Sequence, residues 1–323
     1  MSTSTAKRAL RWLGIAVAIA AGAYFLMHAR RSLAGHDLGE LLHGRVIVAG
    51  VVLTLAYMTL IPITAIAWSW LLRALGQPAA IATTTPILAT TQLGKYLPGN
   101  VAHHLGRVFV ARAHGLEAGS TVLSMAYETL LVLVACAHVS ALTFLWSPPA
   151  ELADWPLAQH HGALVAIISL GALAVIVAAP AIAQTIARMR GRASASTRQS
   201  TRSVRPGWLA CFACYLLYAL NFALVGAGLW LVARTLSPVP VMATDLLLLT
   251  GAFAGSWILG FLAPGAPAGL GVREAVLSLW LGTTLDATTA VSLIILLRIA
   301  TTAGDLLNFL WGSLALARLR RPK

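Results

Sequence analysis

Two arginines stand in apolar surroundings at matching places in this chain. Arg107 lies nine residues after Pro98 of a Pro98-Gly99 pair, and Arg273 lies nine residues after Pro264 of a Pro264-Gly265 pair. A guanidinium keeps its charge when buried and grips phosphate or carboxylate with a two-pronged fork. A charge at membrane depth is costly and usually marks function. The chemistry suggested is capture of a phosphate-bearing anion. Each arginine also has a plainer reading, as a structural ion pair or an interfacial snorkel. Other polar groups gather nearby. Lys95, Tyr96, Asn100, His103 and His104 flank the first Pro-Gly pair, and Glu274 follows Arg273 directly. Lys95 has Phe261 as its counterpart, and reads as a substrate contact or an interface anchor. Glu128, Arg298 and Asp305 lie inside long apolar runs. Arg298 and Asp305 are seven residues apart, so they share a helix face. Glu128 can pair with Arg298, pair with Arg107, or carry protons.

Several chemistries find no residues to support them. No Ser/His/Asp set, Walker loop or pair of catalytic carboxylates appears, so the expectation is a protein that is not an enzyme. His103-His104 lacks a third metal ligand. Gly269-Leu270-Gly271 follows no strand, which argues against a dinucleotide. Cys136, Cys211 and Cys214 sit in apolar runs and read as small buried hydrophobes. No cofactor is expected. The net charge of +13 invites a nucleic-acid partner. The arginines, however, cluster at the ends of apolar runs and in one loop, as the positive-inside rule expects; nucleic acid is not an expected partner.

The elements that must position these groups are transmembrane helices. Hydrophobic residues make up 59% of the chain and charged residues 10%, with mean hydropathy +0.81, where a soluble domain carries about 25% charged residues. The expectation is an all-α polytopic membrane protein, one membrane domain over 1–323. A span needs about 20 apolar residues, and such runs lie near 10–27, 46–72, 118–146, 162–187, 208–233 and 287–314. Between them lie two broken amphipathic regions, 78–113 and 241–285. These align at an offset of 166 residues: from 93 to 110, seven of eighteen positions match without gaps. Proline lacks a donor and glycine tolerates unusual torsions, while backbone breaks in lipid only where its freed groups find partners. Pro98, Gly99, Pro264 and Gly265 are therefore expected at the tips of two re-entrant hairpins. The expectation is about six full transmembrane helices plus two re-entrant hairpins; counting both arms of each hairpin gives up to ten crossings, and a hydropathy count near eight is expected.

The same offset carries 46–72 and 118–146 onto the fifth and last runs, giving repeat halves 10–146 and 162–314. Three full crossings per half invert the second half relative to the first, an arrangement typical of transporters. Both termini then fall on one side. The loop 188–206, with six arginines, places that side in the cytoplasm. Arg30, Arg31 and Arg45 fit this poorly, since they follow the first helix and fall outside.

The run Gln92-Leu93-Gly94-Lys95-Tyr96-Leu97-Pro98-Gly99-Asn100, with Gly106-Arg107 and Glu128, resembles the lysylphosphatidylglycerol synthase transmembrane-region family. So does Pro264-Gly265 through Gly269-Leu270-Gly271-Val272-Arg273-Glu274, and the resemblance runs over about residues 10–317. It implies a bacterial inner-membrane protein associated with lipid translocation, here without the aminoacyl-transferase domain that some members carry. The expected function is a flippase-like lipid translocase. Its ligand would be a phospholipid or polyprenyl-phosphate lipid, with the phosphate held by Arg107 and Arg273. The alternative is a non-transporting membrane partner of a lipid-modifying or glycosyl-transfer enzyme, docked through loop 188–206.

Overall fold

The computed structural model describes residues 19, 23, 24, 26, 27, 29–32, 39, 43–97, 102–146, 160–191, 206–263 and 266–319, and among these every regular element is helical. The tips Pro98, Gly99, Asn100, Pro264 and Gly265 lie outside the described residues. So do most of the first expected span, the patch 147–159, most of loop 188–206 and both termini.

Helices α1 (Gly44–Met58) and α2 (Leu60–Ala74) run on as one apolar stretch with a joint at Thr59. Pro62 causes the joint: it has no N–H for the Met58 carbonyl four residues back. Asn308, from the last helix, donates to that carbonyl at 3.4 Å instead. Helix α3 (Ile81–Thr91) tightens into a 3₁₀ turn, Gln92–Tyr96, and helix α4 (Ala102–Ala113) follows the break. Helices α5 (Ala118–Trp146), α6 (His161–Gly191) and α7 (Trp208–Leu236) are long and apolar. The second broken region is α8 (Asp245–Leu262), a 3₁₀ turn Pro267–Gly269, and α9 (Val272–Leu281). Helix α10 (Ala287–Leu319) closes the described chain, its N-terminus capped by Asp286, which accepts the Thr289 N–H at 2.9 Å.

Among the described residues six segments are long and apolar enough to cross a membrane. Five coincide with expected spans. The sixth is α8, expected as one arm of a hairpin; it runs 18 residues without an internal proline and reaches span length by itself. Its counterpart α3 stops after 11 residues, with Pro86 inside it and a 3₁₀ turn at its end. The two broken regions are thus alike in order and unequal in length. Where a count near eight is expected, the described residues hold six.

Burial separates the helices into centre and rim. In α8 56% of the apolar window is buried within the protein, against 11% in α6, so α8 is central and α6 peripheral. Small residues allow the close packing at the centre. A Cβ on Gly251 or Gly255 of α8 would run into Thr143, Ser140 or Trp280; without one, α8 lies directly against α5, as small residues permit in membrane bundles. Polar glue joins the helices there: Ser140 donates to the Gly251 carbonyl at 3.2 Å, and the Cys136 thiol donates to the Ala254 carbonyl at 2.8 Å. All three cysteines are free and buried, as the sequence implied.

Candidate functional site

The two broken regions point at each other. The 3₁₀ turn Gln92–Tyr96 touches the turn Pro267–Gly269, and one cavity of about 250 Å³ opens beside them. Glycines set how closely each arm returns. A Cβ on Gly94 would lie 2.6 Å from the His103 backbone nitrogen, so only glycine lets the first turn press on the start of α4. At the equivalent position, a Cβ on Gly260 would lie 2.8 Å from Arg273 Nε. Gly269 and Gly271 take φ of +70° and +81°, which glycine adopts freely. Ala268, just before them, takes φ +51°, a left-handed conformation unfavourable for a side chain. These turns carry the α9 N-terminus, with Arg273 and Glu274, to the cavity.

Arg107 lies 4% exposed. Its two terminal nitrogens donate to the two oxygens of Glu128 at 2.7 and 2.5 Å. Its guanidinium stacks 3.8 Å above the Trp68 ring, which is fixed in turn by a bond from Trp68 Nε1 to the Ser124 hydroxyl at 2.8 Å. Glu128 therefore pairs with Arg107 and not with Arg298. The short connection after α4 brings α5 back alongside it. Arg298 instead pairs with Glu274 on α9 and reaches the Gly269 carbonyl at 3.5 Å. The two hairpin-to-helix ion pairs have opposite polarity. In the first, the arginine is on the returning arm and the carboxylate on the following helix; in the second, these are exchanged.

Lys95 also has a partner. Its ammonium lies 2.7 Å from Asp305, which is 1% exposed, and donates to the Tyr57 hydroxyl at 3.0 Å. Asp305 accepts from Tyr96 at 2.6 Å and from Tyr57 at 3.1 Å. Lys95 lines the cavity, but its charge is answered from within the protein. Asp305 and Arg298, on one face of α10, thus hold different turns: Asp305 the first and Arg298 the second. Their seven-residue spacing corresponds to about 10 Å along the helix.

Arg273 differs from the other three cations. Its side chain lies against Gly260 and Gly269, with the guanidinium 5.6 Å from the centre of the Trp257 ring. No ion pair or hydrogen bond reaches it among the described residues, and its Nε is buried without a partner. Lys95, Arg107 and Arg298 each have a carboxylate; Arg273 has none. The cavity and the Asp305 behind it therefore carry one surplus positive charge, with histidines neutral.

The predicted residues Lys95, Tyr96, His103, Arg107, Glu128, Arg273, Glu274 and Arg298 all line this cavity. The predicted Pro98, Gly99, Asn100, Pro264 and Gly265 fall outside the described residues. Sequence reasoning missed Tyr57 and Tyr218, tyrosines inside apolar runs. It also missed the aromatic wall of Phe222, Phe253, Trp257 and Phe261, which looks like any apolar helix until its facing is known. Asn221 joins helices by donating to Thr64 at 3.1 Å; its carbonyl oxygen is buried without a partner.

Among curated proteins none matches the chain. The family model described as the lysylphosphatidylglycerol synthase TM region matches residues 9–307. With its membrane-length apolar helices, the chain is an integral membrane protein that belongs to this family of membrane domains, associated with lipid modification or translocation.

Proposed function

We propose that this protein is a flippase-like translocase that moves a phosphate-bearing lipid, a phospholipid or a polyprenyl-phosphate lipid, between leaflets of a bacterial inner membrane. The observation that carries this reading is Arg273, the cavity cation without a carboxylate. A buried guanidinium with no counter-charge is costly, and a phosphate supplies both the charge and the forked acceptor it lacks. The cavity is small. It suits a headgroup, with the acyl or prenyl chains left in the bilayer.

On this reading the two broken regions act as re-entrant hairpins of an inverted repeat, with both termini cytoplasmic. Rocking of one half against the other alternates access to the phosphate. Arg107, Lys95 and Arg298 hold the hairpins in place through their carboxylates, and Arg273 takes the phosphate. Glu128 serves as the anchor of Arg107, and the protein makes and breaks no covalent bond of its substrate.

The test is headgroup flipping of a fluorescent phospholipid in proteoliposomes. Arg273→Gln is expected to slow flipping by about 10-fold or more, the loss of one charge-assisted contact. A wild-type rate in Arg273→Gln removes Arg273 from the role. Absence of flipping by the wild-type protein, with function in cells lost on deleting 188–206, favours the non-transporting partner of a lipid-modifying enzyme.

A further inference from the structure

The three ion pairs at the cavity are not equally fixed. Among the described residues, Glu128 and Glu274 each depend on one cation, Arg107 and Arg298. Asp305 does not. Lys95 reaches one of its oxygens at 2.7 Å, the Tyr96 hydroxyl donates to the same oxygen at 2.6 Å, and the Tyr57 hydroxyl donates to the other at 3.1 Å. Without Arg107 or Arg298 a buried carboxylate loses its partner, which is costly. Without Lys95 each oxygen of Asp305 keeps a phenol donor. A carboxylate that accepts hydrogen bonds is stabilised as the anion.

Lys95 is also the cation able to move. Its side chain is 17% exposed, against 1% for that of Asp305, and it lines the cavity. A lysine ammonium is a compact charge on a flexible stem, with three donors that turn freely. Lys95 Nζ lies 5.4 Å from the centre of the Tyr96 ring and 5.7 Å from that of Tyr57, within the range at which ring faces attract a cation. Arg107, by contrast, is buried and stacked on Trp68. The 3₁₀ turn that carries Lys95 touches the turn Pro267–Gly269, and a Cβ on Gly269 of that second turn would run into Arg273. The exchangeable cation and the unanswered one therefore belong to two turns in contact.

Resting on the reading of the cavity as a phosphate site, we propose that Lys95 is an exchangeable second ligand of the anion. Lys95 leaves Asp305 for the phosphate, and Tyr57 and Tyr96 keep Asp305 satisfied behind it. The phosphate is clasped between Lys95 of the first broken region and Arg273 of the second, so the anion ties the two halves together. Its departure returns Lys95 to Asp305. The first turn stays on α10 throughout, because Tyr96 belongs to that turn and holds Asp305. Tyr57 and Tyr96 are positioning residues that act on the anion through Lys95.

The chain has three lysines, Lys7, Lys95 and Lys323, so carbon-13-labelled lysine resolves Lys95 directly in the full chain in detergent. Its signal is the one lost in Lys95→Gln. The probes are short-chain phosphatidic acid, which carries a phosphate and no further headgroup, and inorganic phosphate. The Lys95 signal is expected to shift with phosphatidic acid. A shift with inorganic phosphate as well shows that the phosphate alone suffices, and a shift with the lipid alone assigns the anion to a lipid. A Lys95 signal unmoved at saturation overturns the proposal. Retention of phosphatidic acid in native mass spectrometry supplies a second arm. Tyr57→Phe/Tyr96→Phe keeps Lys95 and Asp305 but removes the substitute donors, so Lys95 stays on Asp305; retention is expected to fall about 10-fold. Adding Asp305→Asn frees Lys95 and is expected to restore retention. Unchanged retention in the double variant overturns the exchange. A loss that persists in the triple variant assigns the tyrosines to direct contact and overturns it too. The phosphate reading fails separately. Wild-type protein that retains no phosphatidic acid, or retains it no better than Arg273→Gln, removes the phosphate site itself; retention that depends on Arg273 with an unmoved Lys95 signal leaves the site standing and removes only the exchange.

Discussion

A buried arginine is only as stable as the groups that answer its charge. Arg107 illustrates this: 4% exposed, forked onto Glu128 and stacked on Trp68. Removing one partner of such a pair typically costs about 3–5 kcal/mol, because the other charge stays buried and alone. Glu128→Gln is therefore expected to lower the thermal unfolding temperature in detergent markedly. The double change Arg107→Met/Glu128→Leu is expected to be better tolerated than Glu128→Gln alone, since it leaves no orphaned charge. A double variant less stable than Glu128→Gln argues that the pair has a further role in holding α4 on α5. The residue types at the site were legible in the sequence because a charge inside an apolar run has few explanations. Their pairing was not. Glu128 had two candidate arginines, and the choice depends on which helix faces which, a property that no spacing along one helix contains. Lys95 shows the same limit: its type suggested a ligand contact, and Asp305, far away in sequence, answers it.

At the scale of elements, matching glycines do different work. Gly94 makes room for backbone, the nitrogen and Cα of His103; Gly260 makes room for the side chain of Arg273. Gly94→Ala is thus expected to lower the yield of folded protein, because the backbone has nowhere to go. Gly260→Ala is expected to fold normally and to weaken lipid retention, since Arg273 can swing aside only by leaving its cradle. Equal effects in both assays would contradict the distinction. Outside the membrane, Asp286 caps α10. Burial works to raise its carboxyl pKa, but hydrogen bonds, the first from Thr289, outweigh this and hold it below the usual carboxylate range. A carboxyl lowered on folding contributes stability above its unfolded value and loses it as pH falls through its folded value. Asp286→Ala is expected to cost about 1 kcal/mol at neutral pH, and the gap to wild type should close in acid; a gap constant with pH rules out the cap. The order of elements was legible from apolar run lengths and Pro-Gly breaks. The inequality of the two broken regions was not, because α8 continues to span length where α3 tightens into a 3₁₀ turn, and both read as amphipathic interruptions in sequence.

For the whole molecule, the decisive contact is between the two turns, held from one side by α10 through Asp305 and Arg298. If the halves must rock apart, linking the turns should stop transport. A cysteine pair, one on Gln92–Tyr96 and one facing it on Pro267–Gly269, in a background with Cys136, Cys211 and Cys214 replaced, is expected to abolish flipping when oxidised and to restore it on reduction. Flipping unaffected by the cross-link excludes separation of the turns as a required step. The amino-acid sequence by itself determined that this is an all-helical membrane protein with two glycine- and proline-broken segments, each followed by an arginine. Composition and run length suffice for that, because lipid admits few ways to satisfy a backbone. Only the tertiary structure decided that three of the cavity cations are answered by carboxylates and Arg273 is not. Charge compensation in a membrane protein is a matter of distance between helices, and that is set by packing.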